Sequence, residues 1–105
     1  MIAGLWTYSL KPGAYDDFKN YFNQQVYGLL TGAHGFKRLS YYYDSAANQV
    51  VQIIEWDTEE DAANARANPE FPQIMGGLGN YLTAPPVRMA YQVVQGAWTT
   101  ITVPA

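Results

Sequence analysis

The stretch GFKRLSYYYDSAANQVVQIIEWDTEED, residues 35–61, decides the fold. Phe36–Asp44 and residues 49–57 are two runs dense in aromatic and β-branched side chains, which suit a pleated ladder. Ser45, Ala46, Ala47 and Asn48 between them have the length and chemistry of a hairpin loop, so the runs are expected as antiparallel neighbours. Thr58 then stands before Glu59, Glu60 and Asp61, a near match to the capping box with aspartate in the third position, and a helix is expected to begin there. In the second run, period-two alternation puts Val50, Ile54 and Trp56 on one side and Val51 and Ile53 on the other. A sheet apolar on both faces needs cover on both.

Toward the N-terminus, residues 2–10 read as a strand that stops at the turn Lys11-Pro12-Gly13. Over residues 14–31, Phe18, Phe22, Val26 and Leu29 recur at helical spacing, with Asp16 and Asp17 in the first turn and Gly32 placed to stop the helix. Toward the C-terminus, Pro69 and Pro72 interrupt the helix that Thr58 opens, and Gly76, Gly77 and Gly79 read as lid or turn residues in a short irregular helical segment running up to Leu82. Residues 87–95 follow as a strand and residues 97–103 as an extended tail.

The order β, α, β, β, α, β is an α+β, ferredoxin-like βαββαβ arrangement: a four-stranded antiparallel sheet with its helices on one face. Residues 1–95 form that domain, and residues 96–105 are expected to pack on a partner subunit. Sheet-to-sheet pairing of two copies would cover the second face.

The 105 residues leave room for one core. Hydrophobic residues make up 49% and charged residues 14%, a balance far from that of disordered chains. The net charge of -3 and six scattered cations exclude a phosphate-tracking surface, so nucleic acid is not an expected partner. No cysteine is present, which removes thiolate chemistry and disulfides and fits a cytoplasmic location, and no apolar run approaches the roughly 18 residues of a membrane span. Nine tyrosines, three tryptophans and four phenylalanines are a heavy aromatic load, suited to packing around flat ligands or around one another.

Several short motifs carry a family resemblance: Leu10-Lys11-Pro12-Gly13 after the first strand, Gly35-Phe36 entering the second, and Glu55-Trp56 closing the third before an acidic helix start. In these the chain resembles the dimeric α/β-barrel superfamily, particularly its antibiotic-biosynthesis-monooxygenase family, over about residues 2–95. The run from Thr7 to Gly13 is also similar to NIPSNAP-type proteins of the same fold. Haem-degrading members carry a histidine ligand ten residues beyond the strand-three tryptophan; this chain has Arg66 there, so the resemblance does not extend to haem. It implies a homodimer and a reaction between dioxygen and an aromatic small molecule, with no cofactor and no metal.

Candidate site residues follow. Trp56 either walls a pocket between sheet and helices or packs in the core. His34, the single histidine, lies in a flexible loop where a neutral imidazole can act as general base. Arg66, by charge, and Asn64, by hydrogen bonds, can hold an enolate or phenolate oxygen, but two positions apart on a helix they point in different directions. Arg88 on the last strand is a similar case, and Tyr81 can hold a ligand hydroxyl. Tyr41 and Tyr43 share one sheet face and Tyr42 takes the other, one side for a pocket and one for a dimer; Tyr42 is the one expected to meet the substrate. One histidine without cysteines makes no ligand cluster for a metal.

The resemblance implies a cofactor-independent monooxygenase acting on an electron-rich aromatic of polyketide, anthrone or quinol type. The alternatives are a small-molecule-binding or assembly domain without catalysis, and a cofactor-free isomerase or cyclase.

Overall fold

The computed structural model describes residues 1–94. Strand β1 (Ile2–Ser9) lies at the centre of one sheet, between β3 (Gln49–Trp56) and β4 (Val87–Gln92), with β2 (Phe36–Asp44) beyond β3. All three pairings are antiparallel. The order β2-β3-β1-β4 is what the βαββαβ reading requires, because each helical crossover carries the chain past a neighbouring strand. At the hairpin, Asp44 Oδ1 accepts hydrogen bonds from the Ala46 and Ala47 backbone, and Asn48 takes a positive φ that suits its short polar side chain. The last strand is shorter than its sequence pattern, and the expected tail lies outside the described residues.

Pairing fixes the faces. Tyr8, Val50, Ile54 and Trp56 turn to one side, where the helices bury them with Phe18, Phe22, Val26, Leu30, Ala62 and Leu78. Burial of each large apolar side chain there stabilises the domain by about 1.5–3 kcal/mol. Leu30, not Leu29, closes the helical stripe, so Phe18, Phe22, Val26 and Leu30 step by four throughout. On a straight α-helix each step of four drifts by about 40°. The segment over residues 15–31 cancels that drift with a wider turn: α1 (Tyr15–Tyr21) passes into a π-turn (Phe22–Val26) before α2 (Tyr27–Thr31).

Helix α3 (Glu59–Arg66) starts as the capping pattern predicts, with the Asp61 backbone N–H donating to Thr58 Oγ1 at 3.1 Å. Helix α4 (Glu70–Leu78) is longer and more regular than its sequence suggests. Pro69 is its N-cap and Pro72 falls in its first turn, where no intrahelical donor is needed. Gly76 and Gly77 are helical instead of forming a lid or turn, and only Gly79 enters the 3-10 turn that follows (Gly79–Tyr81). Among the described residues no helix is long and apolar enough to cross a membrane.

Candidate functional site

A cavity opens between the helix-facing side of β1, β3 and β4 and helices α3 and α4. Trp6 on β1 is flanked in register by Gln52 of β3 and Arg88 of β4, so alternation aims all three at the helices. Its indole stacks on Tyr8, with centroids 6.3 Å apart and planes 10° from parallel, and meets Phe71 of α4 edge-on at 6.5 Å. Trp56, at the end of β3, is 4% exposed and takes Phe36 edge-to-face at 6.0 Å. Val26 closes another side of the cavity, placed there by the π-turn.

The polar groups of this cavity are few. Tyr8 donates its hydroxyl to Gln52 Oε1 at 2.9 Å in the core, and burial pushes the Tyr8 pKa far above its ordinary value, so the phenol is a fixed neutral donor. Arg66, in the last turn of α3, and Arg88 are the charged residues lining the cavity. Burial first, and then the neighbouring Arg88, lower the Arg66 pKa. Space for the centre of a water-sized sphere is about 30 Å³, room for one or two waters. A polycyclic ligand therefore enters only if α4, which carries Phe71 and Met75 over the sheet, moves outward.

His34 belongs to a separate outer groove with Asn64, Asp61 and Asn68. Ala65 lines both spaces, so α3 is the wall between them. His34 Nδ1 is 2.8 Å from Asp61 Oδ1, and the imidazole is 93% exposed. The hydrogen bond and charge of Asp61 raise the His34 pKa, and the contact with His34 lowers that of Asp61.

The sequence candidates thus divide. Trp56, Arg66 and Arg88 meet at the inner cavity. His34 and Asn64 sit beyond α3, because Asn64 is two residues from Arg66 and points away from it. Tyr42, 56% exposed, is on the sheet face opposite the cavity, since its β3 partner is Val51 and not Gln52. Tyr41 packs instead on Phe18 and Phe22, and Tyr81 rests on Tyr21 at 5.8 Å. Sequence reasoning missed Trp6, Tyr8, Phe71 and Met75; Gln52, a polar residue alternating with Val50 and Ile54 on an inward face, was the one available signal. Among the described residues no group of three histidine, cysteine, aspartate or glutamate side chains could hold a metal.

The same architecture recurs in solved structures. A conserved protein from Methanosarcina mazei Go1 superposes with a TM-score of 0.75 at 17% identity, covering 87% of this chain and 90% of its own. The cofactor-independent oxygenase SnoaB from Streptomyces nogalater gives 0.79 at 19% identity over 90% and 94% of the two chains. The fold is that of the antibiotic biosynthesis monooxygenases. Within that fold, the ActVA-Orf6 monooxygenase of Streptomyces coelicolor, solved with nanaomycin D, matches with a TM-score of 0.79 at 18% identity over 99% of this chain and 92% of its own. No family model and no curated protein matches the sequence.

Proposed function

We propose that this chain is a cofactor-independent monooxygenase that oxidises a flat, electron-rich aromatic molecule in the cavity beneath α3 and α4. One observation carries the reading: an aromatic-walled cavity whose charged side chains are both guanidiniums. Such a site favours the deprotonated form of an acidic ring system, because positive charge in a poorly hydrated space stabilises a developing oxyanion. For an anthrone, loss of a methylene proton gives a delocalised carbanion, which the positive field of the two guanidiniums stabilises. The carbanion gives electrons to dioxygen and forms a carbon–oxygen bond. Loss of the second methylene hydrogen and cleavage of the oxygen–oxygen bond leave a ring carbonyl and one water, so both oxygen atoms are accounted for. No imidazole or carboxylate lines the cavity, and His34 is separated from it by α3, so the first proton leaves to water at the mouth.

Oxygen uptake by the metal-free protein with an anthrone substrate tests this. Arg66→Gln should lower turnover by about a hundredfold, as loss of one oxyanion partner does elsewhere. Trp56→Phe should lower it too, and His34→Ala should not. Binding of the anthrone without uptake would sink the oxygenase and leave a binding domain, the reading that the missing base favours.

A second copy of the chain completes the molecule in this proposal by covering the outer face of the sheet. That face presents Tyr42, Val87, Met89 and Tyr91 at 56%, 58%, 49% and 52% exposure, a large apolar patch for a lone domain.

A further inference from the structure

The chain has six cationic side chains, and two of them, Arg66 and Arg88, line one apolar cavity. Among the described residues neither Arg66 nor Arg88 has a carboxylate within ion-pair distance. Glu59 acts on Arg66, but more weakly than Arg88 does. Two like charges, both half-buried, therefore line one cavity in a chain whose net charge is -3. Such an arrangement is costly when empty and is relieved by an anion.

The rest of the lining narrows what that anion is attached to. Trp6, Trp56 and Phe71 offer ring faces and edges, and the remaining polar groups are few, with the Tyr8 hydroxyl already committed to Gln52. A small inorganic ion would leave the aromatic wall without a role, and a neutral aromatic would leave the guanidiniums without one. The guanidinium fork matches the two oxygens of a carboxylate, and a second guanidinium can take the outer lone pairs.

We infer that Arg66 and Arg88 form a carboxylate clamp, so that the ligand of this cavity is a flat aromatic acid with its rings on the tryptophans. The clamp rests on the proposed aromatic pocket but not on the oxidation. It adds a specificity-determining pair: the acid group anchors the ring system from the β4 side, and neutral analogues are discriminated against.

Quenching of tryptophan fluorescence in the wild-type protein, titrated with anthracene-2-carboxylate and with the neutral 2-hydroxymethylanthracene, tests the clamp without any variant. The acid should bind at least about tenfold more tightly at low salt, the worth of one charge-assisted contact, and added salt should shrink the preference. Arg66→Gln and Arg88→Gln should each shrink it as well, with Arg66→Lys retaining part of it because the charge remains and the fork is lost. Equal affinity for acid and alcohol, no binding of either, or a preference unchanged in both glutamine variants would overturn the inference. Acid preference without oxygen uptake would keep the clamp and defeat the oxidation; uptake on a neutral anthrone without acid preference would do the reverse.

Discussion

His34 Nδ1 lies 2.8 Å from Asp61 Oδ1, and this contact ties the loop before β2 to the first turn of α3. The same carboxylate occupies the space above Gly35, whose φ of 81° already excludes most side chains, so loop and helix cap are fitted to each other.

The contact has a defined pH window. His34 has a raised pKa when folded, so its contribution is full below the unfolded value of 6.5 and fades as pH rises through the folded value. Asp61 has a lowered one, so its contribution is full above 3.8 and fades as pH falls through the folded value. The pair is therefore strongest between about pH 4 and 6.5. Titration of the His34 ring protons by NMR should give a midpoint above 6.5 that drops toward that value in Asp61→Asn; an unchanged midpoint in the variant would show that the carboxylate does not hold the ring.

Two adjacent helical glycines should respond oppositely to alanine. A Cβ at Gly77 would collide with the Tyr21 hydroxyl, which donates to the Ile74 carbonyl at 2.8 Å and docks α4 on α1. Gly77→Ala should cost about 1–3 kcal/mol as an overpacking change. A Cβ at Gly76 meets nothing within 4 Å, so Gly76→Ala should gain about 0.5–1 kcal/mol from helix propensity. Denaturant unfolding of both variants measures this, and matching effects would contradict the packing of α4.

On the outer face, Ile53 and Met89 both pair with Leu5, forming an apolar row across three strands. If a second copy covers this row, Ile53→Lys and Met89→Lys should convert a dimer to a monomer in sedimentation. Gln24→Lys, on an exposed turn of the helical layer, should leave the dimer intact. A monomeric wild-type protein would remove the proposal.

Much of the architecture was legible because local rules governed it. The hairpin at residues 45–48, the Thr58 cap and the alternation of Val50, Ile54 and Trp56 against Val51 and Ile53 all depend on neighbours within a few residues. The reading strained where tertiary packing overrode local preference. Gly76 and Gly77 argued against a helix, yet the fit of α4 against Tyr21 needs a residue without a side chain at Gly77. The period-four stripe ending at Leu30 needed a π-turn, which spacing alone did not announce.

Element order, the antiparallel pairing and the identity of Trp56, Arg66 and Arg88 as residues worth following came from the sequence alone, because side-chain period and turn chemistry are encoded along the chain. Which of them share a space did not. Arg66 and Arg88 stand 22 positions apart and line one cavity only when α3 packs on the sheet, while His34 and Asn64 fall behind α3 and Tyr42 beneath the sheet. A period-two pattern tells which residues share a face but not which face the helices cover. That is decided when the crossovers choose a side of the sheet and bury it.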